Sequence, residues 1–316
     1  MEQQQSRQTP PISQESYGKR FWELWGPILI KWAIGIGVGM AAMIALMMVY
    51  IGTHYTTTEA LNSLMDNQDK MMELYEKIVV KYIDYSTLVE GMEALITIPV
   101  MAVMFHRDRV KEKMQGIIPN RKAPIWKYAA IVIMSLAMSL GLNNLIIIGN
   151  LSAVDETYMT TMNALYSAPL ILQIICLAVL VPICEEYVFR GLFFQRMRAR
   201  TSYRYAAIYS SLVFGMLHMN LIQMIYGFIL GLMLTYVYEK YGSLKAPIIA
   251  HMSMNLLSVL ATQFQMYDWL VKNPVRMGVL TVLCATVSAT MYVWMQRIEE
   301  KPEIPNQKAG DENLAV

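Results

Sequence analysis

The sequence predicts an all-α integral membrane protein, a bundle of about eight transmembrane helices, and three observations carry that expectation. The 316 residues are 55% hydrophobic and only 16% charged, against roughly a quarter charged in an ordinary soluble domain. The apolar residues sit in long blocks separated by short charged segments. Those blocks approach the ~20 residues that a helix needs to cross the hydrocarbon, where only helices or closed barrels satisfy their own backbone groups.

Eight spans follow in order: 28–51, 85–105, 128–149, 167–189, 205–218, 221–238, 246–264 and 277–296, the fifth being the shortest. Lys and Arg number seven from His106 to Lys127 and five from Arg190 to Arg204, with none from Gly149 to Pro169, where Asp155 and Glu156 stand instead. The positive-inside rule then places both termini in the cytoplasm, and Lys272 and Arg276 on the outer side are expected to snorkel at the interface. The first block begins too late and runs too long for a cleaved signal peptide, so it is expected to be a retained span. Between the first two spans, Thr56 opens a Thr-x-x-Glu capping box ending at Glu59, and the apolar residues that follow have helical spacing. This predicts an outer extension of the second span lying against the membrane surface.

The chain divides accordingly into a cytoplasmic polar segment (1–27), the N-terminal spans with the outer amphipathic helix (28–164), a core of four spans (165–264), a last span (265–296) and a disordered cytoplasmic tail (297–316) containing Pro302, Pro305, Gly310 and five acidic residues. A net charge of +2 gives no basis for a nucleic-acid partner. Cys176, Cys184 and Cys284 all fall in apolar blocks without CxxC spacing, which argues against disulfides and thiolate metal sites. The 27 methionines are dispersed and read as packing filler.

An ionisable residue inside a span is costly and marks a candidate functional position. The candidates are Glu90 and Glu93, Glu185 and Glu186, His218 and His251. Glu185 and Glu186 are adjacent, so on a helix they point about 100° apart and cannot share one role. Glu186 precedes Arg190 by four residues, the favourable order for an ion pair, which leaves Glu185 free to face the bundle interior as a general base. His251 and Asn255 share a helix face and could both donate toward one developing oxyanion. Phe214 and His218 repeat the four-residue spacing, with the ring expected beneath the imidazole. Glu90 and Glu93, at i and i+3, read as lumen-facing or hydrogen-bonded structural carboxylates and not as catalytic ones.

Glu-Glu-Tyr-Val-Phe-Arg (185–190), Phe-Gly-Met-Leu-His (214–218) and His-Met-Ser-Met-Asn (251–255) give the patterns EExxxR, FxxxH and HxxxN in that order, each on its own expected span. Together they resemble the CPBP family of intramembrane endopeptidases, which includes the type II CAAX prenyl proteases and bacterial bacteriocin-processing and self-immunity proteins. The resemblance covers about residues 165–260. It implies that Glu185 and His218 activate a water, that His251 and Asn255 stabilise the oxyanion, and that Glu186, Arg190 and Phe214 support them. It also implies glutamate-dependent chemistry without a cofactor. Metal dependence is disfavoured further by the lack of HExxH.

The expected partners are membrane lipids and a peptide or membrane-protein substrate, in a cavity formed by spans four to seven and open to the cytoplasmic side. A bacterial source would place the protein in the plasma membrane. Two other classes fit the same residues: a non-enzymatic membrane scaffold that regulates a sensor or cell-envelope enzyme, and a transporter relaying protons through Glu90, Glu93 and Glu185. The absence of paired Gly/Pro-broken half-helices lowers the transporter reading. One tension stands in the sequence. From the nearest assigned boundary Glu185 lies about 7 Å deep, His251 about 8 to 12 Å and His218 about 20 Å at 1.5 Å per residue, so a common site needs the fifth helix to protrude or tilt.

Overall fold

The computed structural model describes residues 16–117, 122–153, 155–218 and 220–298, and its regular elements are all helical. In chain order they are α1 (Tyr17–His54), α2 (Thr58–Met65), α3 (Gln68–Asp84), α4 (Ser86–Met114), α5 (Tyr128–Ile148) and α6 (Glu156–Leu165). These are followed by α7 (Leu170–Arg198), α8 (Tyr203–Met216), α9 (Leu221–Tyr241), α10 (Lys245–Gln263), α11 (Met266–Val271) and α12 (Pro274–Gln296). The expected disordered tail falls almost entirely outside the described residues, as do positions 1–15 of the polar N-terminal segment.

Among the described residues, six helices are long and apolar enough to cross a membrane: α1, α4, α5 with the turn before it, α7, α9 and α12. The protein is therefore an integral membrane protein, but the count of eight is not met. Of the other two expected spans, α8 has only 14 residues, about 21 Å against a ~30 Å hydrocarbon core. Helix α10 carries His251, Ser253, Asn255, Ser258 and Thr262, which dilute its apolar character.

Charged contacts gather alternate helix ends into one layer. Arg196 in α7 donates from Nε to Asp108 in α4 at 2.7 Å and from Nη1 to the carbonyl of Glu23 in α1. Arg198 reaches Glu239 in α9 at 3.2 Å, and Arg200 pairs with Glu23. Tyr241 donates to the carbonyl of Lys127 at the start of α5 at 2.9 Å. The Glu23 carbonyl is available because the residue four further on is Pro27, which has no N–H to offer it.

Three boundaries differ from expectation. Helix α1 starts at Tyr17, capped by Ser16, so the segment 1–27 is partly helical. The next helix is capped by Thr57, which accepts from the Ala60 N–H, and not by Thr56. The outer segment is two helices, broken at Asp66–Asn67 and kept separate from α4 at Tyr85. Their buried Leu64, Leu74 and Ile78 pack on Met43, Leu46 and Tyr50 of α1, so α1, about 57 Å long by its rise per residue, supplies the surface that covers them.

Helices α8 and α9 approach closely through small residues. A Cβ built on Gly215 would lie 2.9 Å from Phe228 N and closer still to Met224 O, and one on Gly231 would lie 2.8 Å from Ser211 Cβ. Such stripes let backbones approach where lipid gives no hydrophobic drive between helices. Gly215→Ala should therefore push the pair apart and cost about 1–3 kcal/mol, seen as a lower thermal unfolding midpoint in detergent, whereas Gly278→Ala, with open space at its Cβ position, should leave it nearly unchanged.

Candidate active site

Helix α7 carries the first motif, and its backbone is irregular on both sides of it. Ile174–Leu180 and Tyr187–Phe194 are π-helical, and the α-helical turn Val181–Glu186 between them presents the two glutamates. Such turns are common at functional sites. In the first, the Val181 N–H donates to the carbonyl of Cys176. The next donor in that register would be residue 182, a proline, so Leu177 O is left without an N–H from its own helix. Asn255 fills the gap, donating from Nδ2 to Leu177 O at 2.8 Å.

Glu186 is fully buried, and its Oε1 lies 2.8 Å from Arg190 Nη1 and 2.8 Å from His251 Nδ1. Arg190, 1% exposed, also donates from Nη2 to Gly231 O at 3.2 Å, and its guanidinium carbon stands 4.4 Å from the centroid of the Phe214 ring. The ion pair expected from the spacing is thus present, and it is interior. Arg190 does not mark the membrane edge. Helix α7 continues to Arg198, with Gly191, Leu192, Phe193 and Phe194 all buried.

That correction removes the depth conflict. Glu185 lies thirteen residues from the Arg198 end of α7, and His218 lies fifteen residues from the Tyr203 start of α8, so the two sit about 20 Å and about 22 Å from the shared turn. His218 follows the last turn of α8, where carbonyls lack helical partners, and its Nδ1 is 2.9 Å from Phe214 O. A carbonyl only accepts, so Nδ1 carries the proton and Nε2 of the neutral ring keeps its lone pair. The Phe214 ring meets the imidazoles of His218 at 5.0 Å and His251 at 6.0 Å, both edge to face.

His251 is held between the two glutamates. Its Nδ1 donates to Glu186, whose ionised carboxylate can only accept, and its Nε2 lies 3.7 Å from Glu185 Oε2, beyond direct hydrogen-bond range. The structure thus sets Glu185 beside His251 as well as on the same cavity wall as His218, a neighbour the motif spacing did not indicate.

These groups face a cavity of about 700 Å³. It is not confined to spans four to seven. Lys31 of α1, Glu90 and Glu93 of α4, Asn143 of α5 and much of α6 line it as well. It extends toward α6 and away from the arginine-rich end, where Phe189, Leu192, Phe193 and Ile28 are packed solid. The lining thus runs toward α6, whereas the sequence places the opening at the basic end. Helix α6 is fastened over the other end by Thr87 donating to Leu165 O at 2.7 Å and by Asp155, which caps α6 and accepts from the Leu221 N–H at 2.8 Å. The Thr157 hydroxyl and these N–H donors hold the Asp155 carboxyl below its usual range.

Among the described residues, no group of three or more His, Cys, Asp or Glu side chains is disposed to hold a metal ion.

Comparison with known proteins bears on the same residues. Residues 167–257 match the family described as type II CAAX prenyl endopeptidase Rce1-like. The match falls on the segment whose motifs resemble those of the CPBP family. The chain is also 25% identical over 126 residues to YdiL of Bacillus subtilis (strain 168), which its name proposes as a membrane peptidase, covering 40% of this chain and 51% of that protein. The chain thus spans about half the length of the curated relative it matches. No solved structure matches it.

The Rce1-like segment contains all seven residues singled out by the motifs, but not the whole cavity wall. Lys31, Glu90 and Glu93 precede it by more than seventy residues. Lys31 escaped the sequence reading because it stands near the start of an apolar block, where a lysine looks like a boundary residue. It is instead partly buried and donates to Glu93 Oε1 at 2.6 Å. Its one signal was being a lone cation inside the expected span 28–51.

Arg190→Met leaves the Glu186 carboxylate buried without its guanidinium and should cost about 3–5 kcal/mol. The double variant Glu186→Gln/Arg190→Met should recover much of this loss, and thermal unfolding of the three proteins in detergent checks both outcomes.

Proposed function

We propose that the protein is an intramembrane endopeptidase that hydrolyses a peptide bond of a membrane-associated protein or peptide with water activated by Glu185 and His218. The observation that carries this reading is the convergence of Glu185, His218 and His251 on one cavity, with both histidine tautomers set by acceptors behind them. The Rce1-like match supports the reaction class.

In this mechanism a water donates one hydrogen to the Glu185 carboxylate and the other to the lone pair on His218 Nε2, which aims an oxygen lone pair at the substrate carbonyl carbon. Attack forms the carbon–oxygen bond while Glu185 takes the proton. The tetrahedral oxyanion is met by the Asn255 N–H that remains after the other is donated to Leu177 O. His251, whose Nε2 lies 3.7 Å from Glu185 Oε2, adds a second donor in its doubly protonated form. Collapse expels the amine, which takes the proton back from Glu185. Glu186 and Arg190 touch no reacting atom in this scheme; they hold His251, and Phe214 holds both rings.

Glu185→Gln should abolish cleavage while leaving the unfolding midpoint close to wild type, measured as new peptide termini by mass spectrometry of membranes at equal protein abundance and then with purified components. Undiminished cleavage by folded Glu185→Gln protein would refute the assignment. Asn255→Ala should lower turnover about 10²-fold or more. Pro182→Ala should lower it as well, because the restored N–H competes with Asn255 for Leu177 O; unchanged turnover in Pro182→Ala would show that the amide is oriented by something else.

A further inference from the structure

The cavity wall opposite the motifs is more acidic than the proposed hydrolysis requires. Facing Glu185 are Lys31 from α1, Glu90 and Glu93 from α4, His218 after α8 and His251 from α10, with Glu186 beside it on its own helix. Most of these charges are already matched. Glu186 is taken by Arg190 and His251. Lys31 is taken by Glu93, whose carboxylate fits against α1 at Gly35, where a Cβ would stand 2.8 Å from Oε2. Glu90 is the exception. It lies one turn along α4 from Glu93, is enclosed by protein except toward the cavity, and receives no hydrogen bond from any described residue.

A carboxylate in such surroundings is unfavourable unless a cation or a set of donors meets it. The adjacent position shows what this wall accepts, since Glu93 holds the ammonium of Lys31 there. Among the described residues the ammonium that acts on Glu90 is that of Lys31, which is itself hydrogen-bonded to Glu93, and the cavity in front of Glu90 has room for a peptide side chain.

We propose that Glu90 is a subsite for a cationic side chain of the substrate, a lysine or arginine lying on the α6 side of the scissile bond. The inference rests on the cavity being the peptide-binding site, and it names a substrate feature that the reaction itself does not demand. Glu90 lies nearer the start of α4 than Glu93 does, and that start is where Thr87 bonds to the end of α6, which sets the direction from Glu185 to the subsite.

The test is binding to the Glu185→Gln protein in lipid nanodiscs, so that charge preference is read without cleavage and without the Glu185 charge. The probes are blocked Ala/Leu hexapeptides carrying one Lys, one norleucine or one Glu at each position in turn, titrated calorimetrically. At one register the Lys peptide should bind about tenfold or more tightly than its norleucine counterpart. Adding Glu90→Gln should bring that ratio to about one, and adding Glu90→Lys should favour the Glu peptide. Equal binding of Lys and norleucine peptides at every position, preference for Glu in the Glu185→Gln background, or no binding of any peptide would overturn the proposal. Cleavage by the wild type is scored separately, so a hydrolase without charge preference and a charge-selective cavity without hydrolysis give different results.

Discussion

The ion pair between Glu186 and Arg190 is the constraint around which the bundle is arranged. Both groups are almost wholly removed from solvent, and although Glu186 Oε2 has no hydrogen-bond partner among the described residues, the cost of burying them is offset by the partners gathered around the pair. His251 supplies one from α10, Gly231 O another from α9, and the face of Phe214 a third from α8. Three helices are thus drawn to one point on α7. The Gly231 carbonyl is reachable because small residues let α8 and α9 close on each other. Glu185, next in the chain, is directed away from this knot and into the cavity by the 100° step between adjacent helical residues.

Proline has a constructive part in this arrangement. Pro182 removes the N–H that the π-helical register would have offered to Leu177 O, and the amide of Asn255 takes its place. Pro27 does the same for Glu23 O, which accepts from Arg196. In both cases a backbone acceptor becomes the anchor for a side chain on another helix, so a local defect becomes a tertiary contact.

Much of this was legible in the sequence because the relevant spacings are local. The Glu186 to Arg190 pair, the edge-to-face contact of Phe214 with His218 and the shared face of His251 and Asn255 all follow from four-residue periodicity. What was not legible depends on which helices become neighbours. The membrane edge was drawn at Arg190 because charge normally marks it, yet this arginine is interior and α7 runs on to Arg198. The capping box was shifted by one residue because Thr56 and Thr57 offer the same hydroxyl. Lys31 and the α4 carboxylates carry no short motif, and only the packing of α1 and α4 against α7 reveals them as cavity wall.

The pairing of Lys31 with Glu93 also bears on how such a chain can be made. A single lysine at mid-helix costs roughly 2.5–3.5 kcal/mol on insertion scales and a lone carboxylate is costly there too; α1 and α4 precede α7 in the chain. Because cation and carboxylate are on these first two long apolar helices and meet directly, they can neutralise each other as soon as both helices are in the lipid. The charges of Lys31 and Glu93 thus satisfy each other within the first two long apolar helices, without any group from the later helices that bring the histidines.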